Sequence, residues 1–263
     1  MKSNLAVTFD LFKLPKESRA KQKTLSQILR AVIAPFVICT AVQAHQIWLE
    51  QDGENSVVRF GEFGDNLRET SPGLLDNFGA VEAKLFSKDK LKPLTSTKSA
   101  TGFVIPVRLA SGESLTAEDA RFPIRTFKRE GREIRSLYYP SARFITDFSA
   151  LTPSLTLDIT PIGKQGAFKV TFKNKPLART EVQILVQSGW SKKAYTNSEG
   201  EVTFDLPWQG QYVVEVSHAD SVPGERGEEK YDGINYVTTL TLVQPTGVAP
   251  LPAVLAAKPN VKK

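Results

Sequence analysis

Evenly spaced short strands, separated by turn residues, are the feature that most constrains how this chain folds. Four runs in its second half alternate apolar and polar residues, as strands with one buried face do: 181–187, 202–206, 211–218 and 236–243. Two turns ending in glycine, at residues 197–200 and 207–210, separate some of these runs. This punctuation predicts an all-β fold with a β-sandwich in the second half.

The rest of the chain also favours strands. Residues 46–60 and 124–139 are expected to form hairpins, and 111–120 are expected to form a loop. The last twenty residues are rich in proline and alanine, which is typical of a disordered tail. The predicted organisation is a signal peptide (1–44), an N-terminal β domain (45–150), an immunoglobulin-like or prealbumin-like β-sandwich (151–243) and the tail (244–263).

The first 44 residues have the pattern of an export signal. A basic region precedes the apolar run 31–42, and Val42-Gln43-Ala44 resembles a signal-peptidase cleavage site. The apolar run is shorter than the ~20 residues that span a bilayer. An uncleaved amphipathic anchor is the alternative. We expect export to the periplasm, cleavage before His45 and no transmembrane segment in the mature chain.

Cleavage changes the composition that matters for function. The segment 1–44 holds seven Lys and Arg and two Asp and Glu, so its removal lowers the formal charge from +6 to +1. A nearly neutral chain does not favour nucleic acid as a partner. The single cysteine, Cys39, lies in the removed segment, so the mature chain has no disulfide and no thiolate ligand.

Motifs of common enzyme classes are absent from the sequence. There is no G-x-S-x-G elbow, no P-loop, no G-x-G-x-x-G after a predicted strand and no H-E-x-x-H. We therefore predict a protein that is not an enzyme.

The two histidines indicate a metal site instead. Cleavage before His45 exposes an α-amine beside the imidazole, and the two nitrogens can chelate one ion. His218 ends a predicted strand, and its imidazole is the second expected ligand. Asp220 and Asp232 are predicted auxiliary ligands, while Glu50 and Glu62 are further candidates. These donors suit copper, nickel, cobalt or zinc, and we expect nickel, cobalt or copper. The alternatives are a strand-end histidine bonded to the backbone and an exposed terminus.

Three tryptophans leave a further alternative open. Trp48, Trp190 and Trp208 could form a platform for sugar rings, which predicts a carbohydrate-binding module. Tryptophans more often pack in a core, since each buries a large apolar area.

Several motifs together resemble one bacterial family. They are 44–50 (AHQIWLE), 189–192 (GWSK), 196–200 (TNSEG), 206–212 (LPWQGQY), His218-x-Asp220 and Tyr231-Asp232. This pattern is similar to domain-of-unknown-function family 4198, periplasmic proteins associated with nickel or cobalt uptake. Asn174 departs from the family, which has glycine there. The second half is also similar to prealbumin-like and carboxypeptidase-regulatory-like sandwiches.

The resemblance implies a periplasmic protein that binds a transition metal ion or metal complex and assists its uptake. A membrane metal-uptake transporter is the implied partner. The alternatives are a metal-free interaction module that docks on such a transporter and the carbohydrate-binding module.

Overall fold

Twenty strands and one short 3₁₀ helix (Leu74–Asn77) account for the regular structure of residues 45–88 and 90–260, the part of the chain described by this computed structural model. The strands are β1 (Gln46–Asp52), β2 (Asn55–Glu62), β3 (Leu67–Arg68), β4 (Glu82–Ser87), β5 (Lys90–Leu94), β6 (Thr97–Ser99), β7 (Gly102–Ile105), β8 (Glu113–Glu118), β9 (Arg125–Arg129), β10 (Arg132–Ile145), β11 (Leu157–Pro161), β12 (Ala167–Phe172), β13 (Lys175–Pro176), β14 (Glu181–Leu185), β15 (Ser191–Tyr195), β16 (Glu201–Thr203), β17 (Gly210–Asp220), β18 (Gly224–Arg226), β19 (Glu229–Tyr231) and β20 (Gly233–Gln244).

A nine-stranded sheet is the centre of this arrangement. Its order is β15-β14-β17-β20-β10-β8-β4-β5, and β9 pairs with β10 beside this path. Its two longest neighbours, β10 and β20, run parallel, whereas β17 and β20 run antiparallel. A five-stranded sheet (β1-β2-β7-β6, with β3 on β2), a four-stranded sheet (β11-β12-β13, with β16 on β12) and the β18–β19 pair complete the structure.

Two main hydrophobic cores lie against the large sheet. The first joins β14, β17 and β20 to the four-stranded sheet, and Tyr212, Val214 and Val216 point into it. The second joins β4, β8 and β10 to β1, β2 and β7 of the five-stranded sheet. Each core is therefore closed by a smaller sheet that covers part of the large one.

The predicted all-β class is confirmed by the described residues. Both expected hairpins form, as β1–β2 and β9–β10, and the four runs of the second half are β14, β16, β17 and β20. Residues 111–120 are not the expected loop, because β8 lies there between β10 and β4. Its sequence, ESLTAE, is short and polar at both ends, so it lacks the alternating pattern that predicts a strand. The four central residues are buried because β8 lies between two other strands.

The predicted boundary at residue 150 falls within the connection between two halves that share one sheet. β10 lies before the boundary and β20 lies after it, yet they pair from Ser136↔Gly233 to Phe144↔Thr241. The described residues also belong to a single compact unit, 43–263. The division into two domains stays a prediction. For the two halves to fold separately, the β10–β20 pairing would have to form after each half has folded. The predicted signal peptide lies outside the described residues.

The residues predicted to form a disordered tail follow a defined path. We call 245–260 the C-terminal segment. Val248 forms a bridge with Trp208, and the Val254 amide donates to the Gln187 carbonyl at 3.0 Å. Backbone hydrogen bonds therefore hold a stretch that has no amphipathic period. Among the described residues, no helix has the length and apolar character needed to cross a membrane.

Candidate functional site

His45 lies just before β1, with a carboxylate at each edge of its imidazole. Nε2 is 2.6 Å from Oε1 of Glu69, and Nδ1 is 3.3 Å from Oε1 of Glu62. The ring also packs against Phe60, with 5.2 Å between the ring centroids. The backbone is fixed as well, because the Tyr138 hydroxyl donates to the His45 carbonyl at 2.5 Å.

The two carboxylates reach His45 because the chain folds back sharply after β2. Gly61 has φ 145°, in the region that favours glycine, and a Cβ there would overlap the Leu67 carbonyl. The close approach lets Gly61 pair with Arg68 and also with Gln46 of β1. Glu62 is therefore the last residue of β2, and Glu69 directly follows β3, so that both lie beside the start of β1.

The C-terminal segment completes the surroundings of Glu69. The Asn260 amide N–H donates to Glu69 Oε2 at 2.9 Å, and its side-chain Nδ2 donates to Oε1 at 2.5 Å. Nδ2 of Asn260 is also 3.3 Å from His45 Nε2. Glu69 is fully buried, so these donors replace the water that its carboxylate loses on folding.

Acidic groups near His45 resist ionisation. Burial raises the pKa of Glu62, and a hydrogen bond with Asp65 raises it further, whereas the charge of His45 acts in the opposite direction. Burial also raises the pKa of Glu215 to about 7, and the nearby Glu62 adds to this shift. A cation placed among these groups would relieve their repulsion, which is a condition that favours binding of positive charge.

Buried polar atoms without partners lie beside this cluster. Both side-chain amide atoms of Gln46 are buried, and so is Oε2 of Glu215, and none has a hydrogen-bond partner among residues 45–88 and 90–260. The Gln46 side chain is fully buried. Buried polar groups usually have a hydrogen-bond partner. The region next to His45 therefore holds more polar atoms than its own hydrogen bonds satisfy.

His218 lies in a different environment. It belongs to β17, and its ring packs on Phe172 with 4.3 Å between centroids. Burial lowers the pKa of His218, while Asp220 acts in the opposite direction. Asp220 itself is 2.8 Å from Nζ of Lys173, and that hydrogen bond lowers its pKa.

Asp232 has a structural contact of its own. Its Oδ2 accepts the Arg135 amide at 2.7 Å, and its own amide donates to the Arg135 carbonyl at 2.8 Å. This reciprocal pair ties the start of β20 to β10.

The structure does not bring the predicted ligands His45, His218, Asp220 and Asp232 together. Thr239 donates to the Ile47 carbonyl at 2.7 Å, so β1 crosses the face of the sheet that carries Thr239 and its neighbour Glu215. His218 shares the opposite face with Val214, because side chains alternate along a strand. Among the described residues, no three His, Cys, Asp or Glu side chains converge as a metal site.

Of the two further sequence candidates, Glu62 lies at His45, whereas Glu50 is engaged elsewhere. Burial opposes ionisation of Glu50, yet the charge of Arg68 and hydrogen bonds from Trp48 and Arg59 keep its pKa below the usual value. A carboxylate that already faces two guanidinium groups is a poor metal ligand.

The tryptophans are dispersed. Trp48 is fully buried with Phe63, Leu185 and Val213. Trp190 and Trp208 pack against the first core as partly buried residues. A fully buried ring cannot serve as a platform for sugar, so Trp48 does not contribute to one.

Glu69 and Asn260 were not singled out by the sequence. Glu69 is one of many acidic residues, and it is buried because the chain folds back after β2. Gly61 is the one residue in the sequence that indicates this fold-back. Asn260 lies 191 residues further along, in a segment without periodicity. A pairing across that separation leaves no local signal.

Comparison with known proteins adds no relative: no protein-family model matches the chain, and no curated protein matches it significantly. The resemblance to family 4198 therefore stays a prediction from the quoted motifs.

Proposed function

We propose that this chain is an exported, non-enzymatic periplasmic protein that binds a transition metal ion or metal complex through His45 and assists its uptake. The observation that supports it best is the position of His45, whose Nδ1 faces Glu62 and whose carbonyl is held by Tyr138. That residue is also the one that signal cleavage is predicted to leave first. The partner in this proposal is a membrane metal-uptake transporter.

The proposed ligands are the α-amine and Nδ1 of His45 together with the Glu62 carboxylate. The amine supplies a donor that the side chains alone do not, since the carboxylates lie at opposite edges of the imidazole. One amine, one imidazole and one carboxylate suit nickel, cobalt or copper. Glu69 and Asn260 fix the other edge of the ring, as residues that orient a ligating histidine commonly do.

The finer fold assignment belongs to the same proposal. The four-stranded sheet packed on β14, β17 and β20 is consistent with an immunoglobulin-like or prealbumin-like sandwich. The five-stranded sheet on β4, β8 and β10 would be the N-terminal β domain. In this view His45 lies on the N-terminal side of the shared sheet.

The test is calorimetric titration of Ni(II), Co(II) and Cu(II) into protein that begins at His45. A matched variant keeps Ala44, so that the amine of His45 becomes an amide while every side chain is unchanged. We expect the extra residue to weaken binding by at least about tenfold, or about 1.4 kcal/mol. Glu62→Gln should weaken binding as well.

His218→Ala separates this site from one that uses both histidines. Unchanged affinity in His218→Ala supports a site built on His45 alone, whereas a loss equal to that of the Ala44 variant restores the two-histidine prediction. Equal affinity in all of these variants would overturn the proposal.

A further inference from the structure

The β9–β10 hairpin extends beyond the large sheet as a two-stranded arm. β10 pairs with β8 from Ser141 and with β20 from Ser136, whereas its first residues pair with β9, from Arg132↔Arg129 to Ser136↔Arg125. Glu130 and Gly131 join the strands with φ angles of 51° and 78°. Positive φ at both turn residues is the geometry of a tight type I′ turn, which gives the arm a defined shape.

One face of this arm combines cations with apolar side chains. Because side chains alternate along each strand, six residues share it: Arg125, Phe127, Arg129, Arg132, Ile134 and Ser136. We call the first five of them the hairpin face. Phe127 is directly opposite Ile134, and 48 % of its surface is exposed. The three arginines are exposed around this apolar pair.

The charges of the hairpin face are not neutralised within the described residues. None of its arginines takes part in a salt bridge there. Arg125 instead lies over the Phe122 ring, at 5.2 Å from the centroid. The opposite face of the arm is mixed, with Glu133 between Lys128 and Arg135. Positive charge is therefore concentrated on this face of the arm, and the two carboxylates that line the same cavity as Phe127 and Arg129, those of Asp220 and Asp232, are bonded to other residues.

Protection of an open sheet edge explains only part of this pattern. Lysine or arginine on an edge strand prevents pairing with other chains. That role does not require an exposed phenylalanine, nor does it favour one face over the other. Guanidinium groups around an exposed aromatic ring suit a partner with an anionic surface layer and an apolar layer directly below it.

We propose that the hairpin face binds the surface of a bilayer that contains anionic phospholipids. The arginines would pair with lipid phosphates, for which the planar guanidinium offers two parallel donors. Phe127 would enter the boundary between headgroups and acyl chains, where aromatic side chains are favoured. This inference goes beyond the proposed metal function and does not depend on it.

The test is flotation of protein that begins at His45 with vesicles of phosphatidylglycerol and phosphatidylethanolamine. Phosphatidylcholine vesicles provide the uncharged comparison. We expect binding to the anionic vesicles that weakens as salt is raised, because headgroup charges are screened. Arg125→Gln/Arg129→Gln/Arg132→Gln should weaken it by about 100-fold, from about 1 kcal/mol per arginine.

The matched control is Lys164→Gln/Lys175→Gln/Arg179→Gln, which removes the same charge from exposed positions away from the arm. It should bind as the unmodified protein does within about threefold, given that each charge contributes only near the surface. Phe127→Ser should weaken binding with its salt dependence intact. Circular dichroism and gel filtration establish that all variants are folded and monodisperse.

Three outcomes would overturn the proposal. They are no binding to the anionic vesicles, equal binding to phosphatidylcholine, and an equal loss in the control variant. The last would mean that net charge, rather than the hairpin face, attracts the protein to the membrane.

Discussion

His45 and His218 are the two histidines of the sequence, and the sheet separates them into opposite environments. Two carboxylates lie within 3.3 Å of the His45 ring nitrogens. His218 lies against Phe172, beside the ion pair of Asp220 and Lys173. Carboxylates therefore face the ring nitrogens of His45, whereas burial lowers the pKa of His218. The two histidines therefore differ in chemistry because they lie on opposite faces of the large sheet.

The two environments also respond to pH in opposite directions. Near His45, burial raises the pKa of Glu215 to about 7. The folded protein therefore holds a proton there that the unfolded chain has lost, and stability falls as pH rises from about 4.5 to 7. Near His218, burial lowers the pKa of the imidazole. The unfolded chain binds that proton more readily, so stability falls as pH drops below about 6.5.

The largest expected effect tests whether the two regions fold separately. Val214 is fully buried in the core on the His218 side. Val214→Asp buries an unpaired charge, and we expect a loss of more than about 4 kcal/mol in the free energy of unfolding. Because one sheet spans both regions, hydrogen exchange should show that β1 loses protection together with β17.

The control for this variant is Ser217→Asp, an exposed position of the same strand, which should unfold as the unmodified protein does. Retained protection in β1 after Val214→Asp would instead show two independent domains divided near residue 150.

A smaller effect is expected from Glu215→Gln on the His45 side. At pH 8 this change removes a buried carboxylate whose Oε2 has no partner among the described residues. We expect a gain of about 3 kcal/mol at pH 8, because the pKa is raised from 4.5 to about 7 and each unit corresponds to about 1.4 kcal/mol. Chemical denaturation at pH 4 and pH 8 measures it, and the gain should vanish at pH 4.

Glu228→Gln is the matched control, since Glu228 is exposed. A similar gain in stability in both variants at pH 8 would show that the change in net charge causes it. It would contradict the conclusion that burial of the Glu215 carboxylate lowers stability.

The smallest effect is expected at His218. In the Glu215→Gln background, His218→Phe should abolish the loss of stability between pH 6.5 and pH 5, and this effect should be small because the imidazole is only partly buried and solvent screens its charge. Phenylalanine retains the contact with Phe172 but cannot be protonated. Denaturation midpoints across this range provide the measurement, and an unchanged slope would contradict the proposed cause.

Local patterns in the sequence were sufficient for many of the strands, though not for β8, and for the buried face of β17. The alternation in β17 predicted that Tyr212, Val214 and Val216 point into a core, and all three are buried there. Local patterns could not show that β10 pairs with β20, because the pairing joins residues almost a hundred positions apart. Local patterns also could not predict that His45 and His218 lie on opposite faces of the sheet. That arrangement depends on which face of the β10–β20 pair is covered by β1.

The contact between Asn260 and Glu69 has a consequence for the order of events during biosynthesis. The two residues are 191 positions apart, and a growing chain folds as it emerges from its N-terminal end. His45 and Glu69 are among the first described residues to appear, but the donors that Glu69 requires come with almost the last. Until then the Glu69 carboxylate has His45 as a partner but lacks both donors of Asn260. The neighbourhood of His45 therefore reaches its final form only when almost the entire chain has been delivered.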